Sequence, residues 1–344
     1  MHRFAPTWLV AAAGLLAAGC SGPETGAPDA AEAGIWNTLD GTAPLVIAHR
    51  GASGDRPEHT MAAYLLAIEQ GADVIEPDLV VTADGVLVAR HDAYLSTTTN
   101  VMAHPEFADR RRELLGMTDW WVQDFTLEEL RMLHAIQPQE GRSRTYDGVF
   151  LVPTFEEILD MVAEQEAACS CTIAIEPEVK HPAEFAEWGL DPLPLLLAAL
   201  RDRDLDRADA AVVVQSFDAS FLQRMDAESD VRLAMLYSGP DDPEGNAGGL
   251  PLEAIALFAD AVGPYKGLLF NEDGSSSGYV EAAHDLGLVV HTWTVRDDRE
   301  PVIGSNVEEE LRALYALGVD GVFADFPATA IRVRSEMAAE HGQP

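Results

Sequence analysis

Eight short apolar runs, each followed by a stretch with helical spacing, recur along most of the chain and leave few folds open. The runs are LVIAH (45–49), DVIEPDLVV (73–81), TIAIEPEV (172–179), AVVVQS (211–216), VRLAMLY (231–237), ADAVGP (259–264), LGLVVHTWTV (286–295) and GVFADF (321–326). They are rich in Val and Ile and mostly lack strict apolar–polar alternation, the pattern of strands covered on both faces. Between them lie helical patterns such as TMAAYLLAIEQG, TFEEILDMVAEQ and VEEELRALYALG. Several open on Thr or Asp and close at Gly, as helix caps do. Eight strand–helix units over roughly 300 residues predict an α/β fold, a (β/α)8 TIM barrel, with a doubly wound open sheet as the alternative. Residues 95–150 break the rhythm and read as an insertion after the second strand, rising from the barrel mouth. Within it, Arg110, Arg111 and Arg112 read as a solvated helix face.

The chain has 344 residues, 47% of them apolar, enough to bury a large core. Its 58 acidic and 22 basic residues give a net charge of −36, which argues against nucleic acid as a partner, because phosphate backbones need a basic surface. The acidity fits a salty habitat and fits genome composition equally well. Only Lys180 and Lys266 are lysines. Residues 1–19 form a short apolar stretch behind Arg3, too short to span a membrane, and read as an export signal. Cys20 closes LLAAGC, which resembles a lipoprotein-type signal even though Ala17 stands where leucine is usual; an ordinary secretory signal is the alternative. On the first reading residues 20–41 are a flexible tether, residues 42–344 the barrel domain, and the protein is periplasmic, held to a membrane by lipid on Cys20. Cys169 and Cys171 read as two buried small side chains, since same-face neighbours on a strand rarely meet disulfide geometry.

Chemistry in such a barrel gathers at the C-terminal strand ends. The first run ends in His49-Arg50. The second places Glu76 and Asp78 two apart, on one strand face. Two carboxylates facing one spot repel unless a cation lies between them, and oxygen ligands favour magnesium or calcium over zinc. The plainer reading is two exposed acids in an acidic protein. In VVTADGVLVARHD, apolar runs flank Asp84-Gly85, a two-residue hairpin signal. A loop of those two residues sets His91 directly across from Asp78, about 5 Å away. TIAIEPEVK aligns Glu176, Glu178 and Lys180 on one face, and Lys180 reads equally as an ion-pair partner and as an anion contact. Carboxylates around a cation, two histidines, an arginine and a lysine suit metal-assisted cleavage of a phosphate diester. The phosphate-binding GxxxxGK does not occur.

In order, HRG…PEHT, GADVIEPD…TADG…HD and PEVK resemble the glycerophosphodiester phosphodiesterase family, as do VQSFD (214–218), FADAVGP (258–264), LVVHTWTVRDD (288–298) and GVDGVFADFP (318–327). The resemblance spans residues 44–332, and the insertion with HDAYLSTTTNV is similar to the periplasmic, calcium-dependent branch. It implies a TIM barrel that hydrolyses glycerophosphodiesters to sn-glycerol 3-phosphate and an alcohol. By position, Glu76, Asp78 and Glu178 match ligands of one divalent cation, calcium ahead of magnesium. His49 and His91 match the catalytic acid–base pair, and Arg50 and Lys180 the phosphate contacts. His91 is expected as acid and His49 as base, with the reverse assignment open; attack by the glycerol hydroxyl or by water is also open. Glu58 is placed beside the site as support for the metal or His49. Phe217 and Trp293 are placed in a glycerol pocket, with core packing as the plainer reading. Two positions depart from the family: His59 stands where PENT has asparagine, and Glu176 adds an acid that lies deep in the barrel or pairs with a basic residue.

Two other functions compete. One is a phospholipase D-like enzyme acting on lysophospholipids, against which counts the lack of an obvious exposed apolar or basic docking stretch. The other is a non-catalytic surface-binding lipoprotein, against which counts the retention of every site position just named.

Overall fold

The computed structural model describes residues 35–239 and 249–342. The export signal, Cys20 and most of the predicted tether lie outside the described residues. Each apolar run forms a stave of the barrel, the first being β1 (Leu45–His49). The second breaks at Pro77 into β2 (Val74–Glu76) and β3 (Asp78–Val81), because proline cannot donate to a ladder. β4 (Leu87–Ala89) turns back on β3, while β5 (Arg112–Leu114) and β6 (Met117–Asp119) form a separate hairpin. The third run breaks at Pro177 into β7 (Ala174–Ile175) and β8 (Glu178–Val179). The rest are β9 (Val213–Ser216), β10 (Arg232–Tyr237), β11 (Ala261–Pro264), β12 (Val289–Val295) and β13 (Gly321–Ala324).

The hydrogen-bonded order is β4-β3-β8-β9-β10-β11-β12-β13-β1-β2-β7. Since β2 and β3 are halves of one stave and β7 and β8 halves of another, the two ends of this order meet. Eight parallel staves close into a (β/α)8 barrel.

The helices are α1 (Met61–Gln70), α2 (Leu127–Leu130), α3 (Phe155–Cys169), α4 (Pro182–Glu187), α5 (Pro192–Arg201), α6 (Ala219–Glu228), α7 (Leu252–Ile255), α8 (Tyr279–Asp285), α9 (Val307–Leu317) and α10 (Pro327–Glu340). Their boundaries follow the caps. Thr60 accepts from the Ala63 amide to start α1, and Gly71, at φ 93°, ends it. Thr154 and Glu157 form a reciprocal capping box on α3. The main core lies between helices and staves, where α9 buries Leu311, Leu314 and Tyr315. Inside the barrel, Ile47, Val74 and Phe323 pack beneath the mouth.

Three expectations are corrected. The β3–β4 register pairs Leu79 with Ala89 and Val81 with Leu87, so Arg90, not His91, falls opposite Asp78. The turn is one residue longer than the Asp84-Gly85 signal implied, because the Thr82 hydroxyl donates to Asp84 at 2.7 Å and accepts from the Val86 amide at 3.0 Å. Gly85, at φ 78°, takes the left-handed place in a three-residue loop. Cys169 and Cys171 form a disulfide and are exposed. They lie at the end of α3, not on a strand, and left-handed Ser170 (φ 54°) folds the chain back so that their Cα atoms are 5.2 Å apart. Arg110–Arg112 do not share a helix face. Arg110 ends a 3-10 turn and pairs with Glu129, Arg111 donates to the Thr118 carbonyl, and Arg112 opens β5 and pairs with Asp124.

Lys266 meets both carboxylate oxygens of Glu310 at 2.8 Å, both side chains being buried, and Glu310 also accepts from the Val302 amide. Removing one partner of such a pair strands the other charge, at about 3–5 kcal/mol. Glu310→Ala is therefore expected to lower the unfolding free energy by that amount in a urea titration, and the apolar pair Lys266→Met/Glu310→Leu to cost less than either single change.

Candidate active site

The split staves build the mouth of the barrel. Pro77 and Pro177 interrupt neighbouring strands at the same level, and the register then pairs Asp78 with Glu178 and His49 with Glu76. Carboxylate oxygens of Glu76, Asp78 and Glu178, all three residues buried, come within 4.8 Å of one another. Glu76 and Glu178 line a cavity of about 520 Å³ together with His49, Arg50, His91, Lys180, Phe217 and Trp293.

Each carboxylate has a basic or amide partner. Asp78 Oδ2 receives His59 Nε2 at 2.8 Å and lies 3.2 Å from Arg50 Nε. Glu76 accepts from the Arg50 amide at 2.8 Å and from Gln215 Nε2 at 3.3 Å. Glu178 holds Lys180 Nζ at 2.7 Å. Burial pushes Glu76 well above the ordinary carboxylate range, and the charges of Asp78 and Glu178 push it further. Burial also raises Glu178, to about 8, with Lys180 opposing and Asp78 adding. Burial works against Asp78 too, yet Lys180, Arg50 and the His59 hydrogen bond hold it well below its usual value. Three buried carboxylates thus face one another at close range, a repulsion that a cation between them would relieve. Asp78 Oδ1 and Gln215 Oε1 are buried with no protein partner. An all-oxygen donor set of this kind fits a hard divalent cation.

Two histidines face the cavity from different segments. His49, at the end of β1, donates from Nδ1 to Asp325 Oδ1 at 2.6 Å. Burial lowers His49 to about 4, Arg50 adds to the effect, and Asp325 opposes it. His91 follows β4 and pairs through Nδ1 with Asp92 at 2.8 Å. It is also lowered, first by burial and then by Arg50 and Lys180. The Nδ1 bonds leave Nε2 of each ring for the cavity.

The remaining expected residues fall around this centre. Glu58 meets Arg50 Nη1 with both oxygens at 3.2 Å, so it holds the arginine. Arg50 itself is left-handed (φ 61°), and Gly51 follows where an added Cβ would come 2.6 Å from the Ala63 backbone. Phe217 and Trp293 meet edge-on, ring centroids 5.7 Å apart, and form one wall. His59 is bonded through both ring nitrogens: Nε2 serves Asp78 and Nδ1 meets the Tyr64 hydroxyl, each at 2.8 Å. Glu176 pairs with buried His291 at 3.0 Å.

Several residues of the site carry weak sequence signals. Asp325 ends the last stave, so the strand-end logic that found His49 applies to it as well. Its Oδ2 accepts from Arg296 Nε at 2.8 Å and from Arg142 Nη2 at 2.5 Å. Gln215 lies inside a strand, and Arg142 lies in the insertion with no motif around it. The insertion also adds Thr97, Thr98, Pro138 and Gln139 to the cavity wall. It exposes the side chains of Met102, Leu115, Met117, Met132 and Val149.

The model of the glycerophosphoryl diester phosphodiesterase family matches residues 49–329. The chain belongs to that family. A glycerophosphodiester phosphodiesterase of Arabidopsis thaliana is 30% identical over 91% of this chain and 92% of its own length. One from Haemophilus influenzae is 29% identical over 93% of this chain and 95% of its own. Among solved structures, a chain from Silicibacter pomeroyi DSS-3 has a TM-score of 0.66 at 25% identity, covering 89% of this chain and 97% of that one. The fold is shared with an Oleispira antarctica phosphodiesterase solved with the product sn-glycerol-3-phosphate, at TM-score 0.62 and 22% identity, covering 87% and 99%.

Partners that orient metal ligands typically change affinity 10–100-fold when removed. His59→Leu is accordingly expected to weaken binding of a divalent cation by about that factor in calorimetric titration. His59→Asn, which restores one donor, is expected to lose less.

Proposed function

We propose that this chain is a glycerophosphodiester phosphodiesterase that releases sn-glycerol 3-phosphate and an alcohol, using one divalent cation and the pair His49 and His91. The observation that carries the reading is the clustering of the acidic trio at a cavity that Glu76 and Glu178 line with Arg50, Lys180 and both imidazoles. The names of relatives matched along nearly their whole length support it.

Glu76, Asp78 and Glu178 would hold the cation, which when bound supplies Lewis-acid charge for the phosphoryl group. Calcium is the proposed ion and magnesium the alternative. Arg50 and Lys180 bind the phosphoryl oxygens and offset the charge that grows there. His49, kept neutral near pH 7, takes the proton of the attacking hydroxyl on Nε2 while Asp325 holds its Nδ1–H. As the new P–O bond forms and the old one breaks, His91 gives its Nε2 proton to the departing alkoxide. The phosphodiester anion beside His91 favours the protonated ring this step needs. Phe217 and Trp293 pack against the glycerol carbons. The attacking hydroxyl belongs to the glycerol or to water, and ³¹P NMR of early products separates a cyclic phosphate from direct hydrolysis.

A second reading, turnover of lysophospholipids, draws on the exposed apolar residues of the insertion. One assay decides. Glycerophosphocholine and lysophosphatidylcholine micelles are compared, each after chelation and with calcium or magnesium restored. The primary reading expects faster turnover of the soluble diester, loss of activity in chelator, and a drop of about 10²–10⁴-fold for His49→Ala or His91→Ala. Full activity in excess chelator contradicts the metal, and preference for micelles favours the second reading.

Export is proposed as well, with the protein periplasmic and anchored by lipid on Cys20, on the strength of the LLAAGC signal. Cys20→Ala is expected to move it from the membrane to the soluble fraction; unchanged fractionation would sink the anchor.

A further inference from the structure

The insertion does more than wall the cavity. Arg142 lies within it, with a side chain only 3% exposed. It reaches the barrel through every part of its guanidinium. Nε donates to Asp298 Oδ2 at 2.7 Å and Nη2 to Asp298 Oδ1 at 3.1 Å, a forked pair. Nη2 also donates to Asp325 Oδ2 at 2.5 Å, and Nη1 to the Ser53 carbonyl at 3.2 Å. The guanidinium carbon lies 5.3 Å from the centre of the Phe326 ring.

Both ends of this network touch His49. Asp325 Oδ1 takes the imidazole Nδ1–H, and the Ser53 hydroxyl donates to the His49 carbonyl at 2.8 Å. Gln137, also in the insertion, adds a donor to the Ser53 carbonyl at 3.1 Å.

Asp298 alone would anchor the insertion to the barrel. Charge on Asp325 is already met by Arg296, which donates to the same oxygen at 2.8 Å but is 30% exposed. What Arg142 adds is direction. By fixing Oδ2 from a buried position, it leaves Oδ1 aimed at the ring and holds the carboxylate in one plane. We propose that Arg142 is a positioning residue, which acts through Asp325 and Ser53 to set the orientation of His49 and so makes turnover depend on the docked insertion. The inference rests on the reading of His49 as base.

The test uses the full chain with calcium and glycerophosphocholine, and two readings. The first is kcat against KM. The second needs no turnover: the downfield N–H proton resonance of an imidazole bonded to a buried carboxylate, assigned by its loss in Asp325→Asn. Arg142→Ala is expected to lower kcat by about tenfold or more with KM within about threefold, since the geometry of the base and not ground-state binding is lost. The resonance is expected to broaden or vanish, and Arg142→Lys to restore part of both. An Arg142→Ala protein that folds and keeps both kcat and the resonance overturns the proposal, as does a lysine variant no better than alanine. If Arg142→Ala does not fold, Arg142→Gln, which keeps an amide donor without the charge, is judged by the same two readings. A wild type that shows the resonance yet cleaves no diester ends the functional reading, and the resonance in the variants still judges the positioning.

Discussion

Like charge held in a dry place governs this structure. Glu76, Asp78 and Glu178 are all buried at the end of a barrel whose lower interior is apolar. Carboxylates so placed repel and resist ionisation, and burial, with the neighbouring acids adding, lifts two of the three. Arg50 and Lys180 offset only part of that cost. The rest of the mouth is arranged around the deficit: Glu58 steadies Arg50, His59 steadies Asp78, and Gln215 leaves an oxygen free beside Glu76. A surface salt bridge could be lost with little consequence. Here each missing partner would strand a buried charge.

The backbone makes this possible through two prolines. An unbroken strand would send alternate side chains in and out and keep neighbouring acids at ladder spacing. Pro77 and Pro177 interrupt the ladder on adjacent staves, so the chain on either side can turn its carboxylates toward a single point. The closed sheet carries the interruption without fraying, because the flanking residues still pair with the next stave.

Much of this was legible in the chain itself. The eight apolar runs each became a stave, and LVIAH matched β1 at both ends. The acidic trio and His49 could be found by asking which polar residues end apolar runs, whereas His91 was reached through a hairpin register that is off by one. Errors arose where one local signal had two outcomes. Asp84-Gly85 marked a hairpin correctly, but the Thr82 side chain lengthened the turn, and a one-residue slip exchanges the faces of a strand. The CSC pair looked like a strand fragment, yet a helix end brought the sulfurs together. Arg142 could not be found at all, because nothing near it in sequence announces a partner 183 residues away.

By itself, then, the sequence determined the repeating strand–helix architecture, the family and the identity of the groups that gather at the strand ends, because periodicity and residue chemistry are local properties. Tertiary structure alone decided which nitrogen of His49 is tied back, which oxygens of the acidic cluster stay unpartnered, and that a distant insertion grips the aspartate bonded to the proposed base. Those depend on closure of the barrel, which sets angles and distances between segments that no stretch of chain encodes on its own.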